Sequence, residues 1–413
     1  MLNSRQRTQV AIIGAGPSGS VAAALLNQNN IDVVVLEKNT FPRFSIGESL
    51  LPACMEVIKK ANMLDAVIGA DFQYKNGAAF RRRDIYTAFD FRDKFTAGTG
   101  TTYQVQRGNF DKVLADEASK QGVEIRYQHS VDAIECSDTS SVITVHDELV
   151  GQTYELEADF ILDASGFGRV LPRLLDLELP SCLPVRHAIF THVVDHIEDS
   201  GVEHDREKIL ISVHPTNEDV WFWLIPFSNG TCSLGVVAEP EFLAQYDADE
   251  KTALQQIVAQ EPTLNKLLSK AEYANPAAQI GGYSANVKHL ATNNYALLGN
   301  AGEFLDPVFS SGVTIAMQSA DLVVSALLKQ LAGNDVNWQQ EYADKLMIGV
   351  NTFRTYVEGW YSGELQKVIF YTDPDPKIKQ MVCSILAGYA WDQKNPFVSQ
   401  PERRLKTLAE ICS

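Results

Sequence analysis

The chain has 413 residues, 45% hydrophobic and 21% charged, enough to bury a large core shared by two or more lobes. A formal charge of −17 at pH 7 excludes nucleic-acid binding as its main task, which needs a basic surface. The one basic run, Arg81-Arg82-Arg83, reads as a solvated turn or strand end.

The polar start Met1–Gln9 does not read as a signal peptide. Gln9–Ile13 is a compact apolar strand, followed by Gly14-Ala-Gly16-Pro-Ser18-Gly19 and by Val21–Asn27, which has helical composition. A second strand, Val33–Leu36, ends in Glu37. This strand-turn-helix-strand layout is the unit of parallel sheets. Gly14 permits the tight turn, Gly16 lets the backbone approach a pyrophosphate, and Gly19 lets the helix pack close to the strand. The helix start offers unpaired N–H groups to phosphates. Glu37 falls where a carboxylate accepts ribose hydroxyls, which disfavours the 2′-phosphate of NADP.

Asn109–Gln121 reads as an amphipathic helix, and Val123–Tyr127, Ser141–His146, Tyr154–Leu156 and Phe160–Leu162 as strands. Lys208–Val213, Val220–Leu224 and Ser233–Val237 alternate as the antiparallel sheet of a second lobe. Ala253–Gln260 and Leu264–Ala271 are helical in composition, with a break at Pro262. Tyr295–Leu298 is another buried strand and Val313–Gln330 a long helix. From Trp338 the chain is mostly helical and broken at Asp373-Pro-Asp-Pro376 and Asn395-Pro396; its many aromatic residues, Tyr361 among them, read as core, with a lid over the substrate site as the alternative. No stretch is expected to reach a membrane span. The six scattered cysteines read as reduced thiols of a cytoplasmic protein, and no metal site is expected.

Two later strand ends carry polar groups: Asp163-Ala-Ser-Gly166, and Leu297-Leu-Gly299-Asn300-Ala-Gly302 leading through Pro307 into the long helix. Three strand ends so far apart in sequence converge only on a long cofactor, which favours FAD over a nicotinamide cofactor. The expected fold is α/β. A discontinuous Rossmann-like FAD-binding domain (1–70, 104–180, 276–335) carries an antiparallel substrate domain (71–103, 181–275) and a helical C-terminal region (336–413).

Together with Arg43-Phe-Ser-Ile-Gly47-Glu48-Ser49 and Arg107-Gly-Asn-Phe-Asp111, these motifs resemble the flavin-dependent halogenases and the wider hydroxylase-fold flavoproteins. The resemblance spans roughly residues 8–330. It implies a p-hydroxybenzoate-hydroxylase-like fold whose antiparallel sheet roofs the flavin. It also implies FAD contacts at Gly14, Gly16, Ser18, Gly19, Glu37, Lys38, Arg43, Glu48, Ser49, Arg107, Asp163, Gly166, Gly299, Asn300, Pro307, Gly312 and Val313. Asn300 stands where the group usually has Asp, so it keeps hydrogen bonds without the charge.

Three features resemble the halogenases in particular. Trp221-Phe-Trp223-Leu-Ile225-Pro226 matches their W-x-W-x-I-P signature, and a strand puts both indoles on one face. The resemblance makes the pair a wall between flavin and substrate; taken alone, it is equally a core pair. Phe304-Leu-Asp-Pro307-Val-Phe-Ser310-Ser311-Gly312 matches F-x-x-P-x-x-S-x-G, which implies halide at Ser311 and Gly312. N–H groups at a helix start suit an anion there, and would equally suit the flavin edge in any enzyme of this fold. Lys75 takes the place of the family's catalytic lysine, and a dry pocket would favour its neutral amine. The implied enzyme uses reduced FAD from a separate flavin reductase, dioxygen and halide. Its implied substrate is a small electron-rich aromatic of phenol or pyrrole type, free or bound to a carrier protein. Phe309, where the tryptophan-halogenating branch has Glu, disfavours free tryptophan. The alternative is a monooxygenase or dehydrogenase/reductase of the same fold, with Lys75 structural.

Overall fold

The computed structural model describes residues 5–137 and 140–412; Met1–Ser4 of the polar start lie outside the described residues. In the first sheet the strands Glu124–Tyr127, Val33–Glu37, Gln6–Ile13, Gln152–Asp163, Ser141–Asp147 and His129–Cys136 lie side by side. Tyr295–Leu297 joins the far end of Gln152–Asp163. Pairing around Gln6–Ile13 is parallel, and every residue of Val33–Glu37 is buried, as a parallel strand covered on both faces requires. Ile13 lies opposite both Leu36 and Asp163, and Asp163 opposite Leu297. Four strands therefore end at one level, just where the polar loops begin.

The expected strands Tyr154–Leu156 and Phe160–Leu162 are one strand, Gln152–Asp163. Its first half pairs antiparallel with Ser141–Asp147 and its second half parallel with Gln6–Ile13. His129–Cys136 was not expected as a strand, because its exposed acidic residues hide the alternation.

The second sheet runs Ala278–Gly281, His187–Val194, Thr231–Ala238, Trp221–Pro226, Lys208–Val213, Gly77–Arg82, Ile85–Asp90. All its pairings are antiparallel except Gly77–Arg82 with Lys208–Val213. The period of two sorts its side chains into two cores. Trp221, Trp223, Ile209 and Ile211 face the first sheet. Phe222, Leu224, Leu210 and Leu234 pack with Leu254, Ile257, Leu264 and Leu267 of the helices Glu250–Val258 and Pro262–Leu267. Ala278–Gly281 lies within the 276–335 stretch but pairs with His187–Phe190, so the chain leaves the second sheet a few residues later than expected.

The long helix Ser311–Leu331 has 21 residues and a mean hydropathy of 1.4, long and apolar enough to cross a membrane. The sequence reading expected no such stretch. Here the helix is mostly buried, packed on the helices Pro17–Asn27, Pro52–Lys60 and Asp344–Tyr361, and that burial accounts for its composition. In the tail Phe353, Tyr356, Trp360 and Phe370 are buried core. The two proline breaks are helix starts: Asp375 and Asn395 accept hydrogen bonds from the first-turn N–H groups, and a proline occupies the first helical position.

Candidate active site

Where the strand ends meet the underside of the second sheet, they enclose a cavity of about 840 Å³. The glycine loop forms one wall. Gly14 has φ +97°, and a Cβ there would stand 2.8 Å from the Ala164 carbonyl oxygen. A Cβ on Gly19 would overlap the Gly14 carbonyl oxygen, so the helix packs directly on the turn. The helix Pro17–Asn27 begins with no side-chain cap and no acidic residue in its first turn, leaving its N–H groups open to the cavity beside Ser18. Glu37 accepts from the N–H groups of Ala15 (2.8 Å) and Asn39 (2.9 Å), tying the second strand end to the loop.

Arg43 and Arg107 bring positive charge to the same wall. Arg107 grips Asp111 through two hydrogen bonds (2.7 and 3.0 Å) and donates to the Ile46 carbonyl (2.6 Å). Arg43 lies 3.5 Å from Glu37 and from Asp111. Glu48 reaches across to the second sheet, where His192 Nε2 lies 2.9 and 3.0 Å from its two oxygens. Burial alone would lower His192, but its hydrogen bond to Glu48 and that carboxylate's charge hold it above its ordinary pKa.

At the opposite wall Pro307–Phe309 is a helical turn and Ser310 is left-handed at φ +56°, and the long helix starts at Ser311. That helix too has no side-chain cap. Ser311, Gly312, Val313, Pro307, Asn300 and Gly166 all line the cavity, as do Lys38 and Ser49. The roof carries Trp221 and Trp223 on one face, ring centroids 6.0 Å apart. Each indole is anchored, Trp223 Nε1 to Ser233 Oγ (3.0 Å) and Trp221 Nε1 to Tyr361 Oη (3.0 Å).

Four expected site residues stand behind the lining. Gly19 serves helix packing. Gly299 (φ +51°) lets its loop lie against Ala316. Asp163 is fully buried and clamps the following loop by accepting from the N–H groups of Ser165 (2.9 Å) and Leu171 (2.7 Å). Lys75 lies in a separate space of about 10 Å³, lined by Phe80, Phe91, Phe309 and Leu386 and sharing Ser310 and Ile209 with the large cavity. The strand Gln73–Lys75 pairs with Thr102–Gln104, which also holds Leu50 through its N–H (3.1 Å to the Tyr103 carbonyl). This ribbon sets Lys75 Nζ 2.7 Å from Ser49 Oγ and 2.7 Å from the Leu50 carbonyl. The amine is fully buried, has no carboxylate partner among the described residues, and desolvation lowers its pKa to about 7.

Residues 7–343 match the family described as FAD binding domain. A flavoprotein/dehydrogenase from Cytophaga hutchinsonii is 43% identical, with a TM-score of 0.94 over 98% of this chain and 99% of its own. The 1H-pyrrole-2-carbonyl-[peptidyl-carrier protein] chlorinase of Pseudomonas fluorescens is 26% identical, over 97% of this chain and 93% of its own length. The flavin-dependent brominase Bmp2 is 23% identical and shares the fold, with a TM-score of 0.83 over 99% of this chain and 100% of its own. The chain belongs to the FAD-binding domain family.

This flavoprotein binds FAD, and its cavity fits the group. Gly16 and Gly312 are not required by the protein's own packing. A Cβ on Gly16 would lie 3.5 Å from Arg43 Nη2 and one on Gly312 3.9 Å from Asn300 Oδ1, ordinary contacts. The clearance they leave lies at the two uncapped helix starts, where an anionic cofactor needs it. Sequence reasoning missed Phe190, Ile209, His192 and Asp306, and weighed Tyr361 only as one of the tail aromatics, core or lid. Of these only Asp306, inside the Phe304–Gly312 motif, had a local signal; the others arrive by packing across the fold. Asp306 is buried and accepts from Tyr361 Oη (2.8 Å), Tyr283 Oη (3.3 Å) and the Val308 N–H (3.0 Å). Burial raises its pKa to about 6 against those hydrogen bonds.

Proposed function

We propose that this flavoprotein halogenates an electron-rich aromatic ring of phenol or pyrrole type, using halide, dioxygen and FAD reduced by a separate flavin reductase. When bound, reduced FAD would give dioxygen two of its four electrons and the halide the other two, so that hypohalous acid and water form. The roles of the chain follow from its geometry. Ser311 and Gly312 hold the halide at the start of the long helix. Trp221 and Trp223 keep the aromatic substrate off the flavin. Ser310, shared by both spaces, marks the passage toward Lys75.

The observation that carries this reading is the unpaired buried amine. A neutral amine has two N–H bonds, and Ser49 and Leu50 accept both, so its lone pair is left for an electrophilic halogen. The space beside it, about 10 Å³, admits a ring only when lining side chains shift. Phe309 in place of an acid supports an apolar, uncharged ring, and the Pseudomonas fluorescens relative, named for a carrier-bound pyrrole, supports that substrate type.

A second reading, a dehydrogenase or reductase, is favoured by the name of the 43% identical relative. Single turnover of the FAD-reduced enzyme with bromide and phenolic or pyrrolic acceptors separates the two. Brominated product is expected; a reduced or hydroxylated product without bromine rejects the proposal. Lys75→Ala should abolish bromination and leave flavin reoxidation intact.

A further inference from the structure

Taking up halogen obliges the Lys75 amine to give up a proton, and its surroundings leave that proton one way out. Lys75 is fully buried and lines the small space, not the large cavity. Among the described residues its Nζ hydrogen-bonds to two groups, Ser49 Oγ and the Leu50 carbonyl, each at 2.7 Å. The Phe91 ring stands on another side, its centroid 5.3 Å from Nζ. A carbonyl oxygen and a ring have no proton to exchange; a hydroxyl has one, and lone pairs to take another. Cys54, on the helix Pro52–Lys60, is the titratable group that feels the amine's charge. Burial pushes its thiol up to about 12, so it keeps its own proton. The Glu48 carboxylate is engaged with His192.

Ser49 stands where the two spaces meet. It is buried and belongs to the wall of the large cavity, together with Ser310 and Ser311. Its backbone is held on both sides: the Glu48 carbonyl accepts from the Val105 N–H (2.7 Å), and the Leu50 N–H donates to the Tyr103 carbonyl (3.1 Å). Both bonds run to the segment that pairs with Gln73–Lys75, so one ribbon fixes hydroxyl and amine together. Among the described residues Ser49 Oγ has no partner besides Lys75. Its own proton is therefore left for an acceptor on the cavity side.

We propose that Ser49 relays the proton between Lys75 and the large cavity. The amine lone pair forms the nitrogen–halogen bond, and the halogen–oxygen bond of hypohalous acid breaks with its electron pair on oxygen. An amine proton passes to Ser49 Oγ as the Ser49 hydroxyl proton passes to the departing hydroxide, giving a haloamine and water. The inference rests on the reading that Lys75 takes up the electrophilic halogen.

The test follows the rate at which the FAD-reduced enzyme brominates a phenol in a single turnover. Ser49→Ala should be about a hundredfold slower than the parent, the scale of a lost proton transfer. Ser49→Thr keeps the hydroxyl and should stay within about tenfold of the parent. Packing alone predicts the reverse order, because threonine overfills a buried site and alanine does not. Alanine equal to the parent, or threonine slower than alanine, therefore overturns the relay. If Ser49→Ala fails to hold FAD, the parent decides in mixtures of light and heavy water. Two protons moving together make the rate fall along a curve as deuterium content rises; a straight line, or no fall, overturns the relay. Bromination lost in Lys75→Ala but kept in Ser49→Ala removes the relay alone. Bromination by Lys75→Ala at the parent's rate, or none by the parent, rejects the Lys75 reading and the relay with it.

Discussion

In the proposed reaction Lys75 carries most of the chemistry, because burial and the lack of a carboxylate partner among the described residues act on it together. Its ammonium form is disfavoured by desolvation, which brings its pKa to about 7. The neutral amine therefore gains population as pH rises through about 7, and bromination per bound flavin should rise over that interval. Stopped-flow product analysis from pH 6 to 8.5 checks this, and a rate that falls across 7 would assign the work to the ammonium instead. The same depressed pKa has a stability cost. Between about 7 and the lysine's ordinary 10.5, the unfolded chain binds a proton that the folded chain does not. Stability therefore rises with pH through that window, and the full penalty is present below 7. Lys75→Met keeps the shape and removes the charge, so it should raise the melting temperature at pH 7 and below despite the two lost hydrogen bonds. The gain should fade toward pH 10. A variant less stable than the parent at every pH would mean that the Ser49 and Leu50 contacts outweigh desolvation.

At the scale of elements, the two loop glycines separate fold from ligand. Gly19→Ala sets a methyl group against the Gly14 carbonyl, so the helix must move off the strand; a loss of at least about 2 kcal/mol is expected in urea unfolding of the FAD-free protein. Gly16→Ala meets only ordinary contacts. It should leave FAD-free stability within about 1 kcal/mol of the parent, yet weaken FAD binding severely in a fluorescence titration. Equal effects on stability would show that Gly16 serves packing. These positions were legible in the sequence because a turn, a close approach and an uncapped helix start are local constraints, written in a few consecutive residues. The convergence of the strand ends at Ile13, Asp163 and Leu297 was legible too, since polar loops after apolar strands mark one edge of a sheet. The separation of Lys75 from the large cavity was not. It depends on the pairing of Gln73–Lys75 with Thr102–Gln104 and on Leu386 arriving from a distant helix. The Glu48–His192 contact is equally non-local, and nothing around either residue announces the other.

The molecule as a whole is tied together at one buried carboxylate. Trp221 belongs to the second sheet, Tyr361 to the end of the helix Asp344–Tyr361, and Asp306 to the loop entering the long central helix. The indole N–H donates to Tyr361 Oη, and that hydroxyl donates to Asp306. Arg186 lies over the Tyr361 ring, 4.4 Å from its centroid. Tyr361→Phe leaves a buried indole donor without an acceptor and takes one donor from the carboxylate, which should cost about 1–3 kcal/mol. The cost should depend on pH. Asp306 is raised from 3.8 to about 6, so between those values the folded chain binds a proton that the unfolded chain lacks. The stability this contributes is fully present below about 4 and is lost as pH rises through 6. At pH 5 the carboxyl is mostly protonated and needs its donors less; at pH 7.5 it is charged, and the missing hydroxyl leaves that charge less well held. Urea unfolding of parent and Tyr361→Phe at both values should therefore give the larger difference at pH 7.5. An equal difference at both would mean that Tyr361 holds Trp221 alone, and that the carboxylate draws its support from Tyr283 and the Val308 N–H.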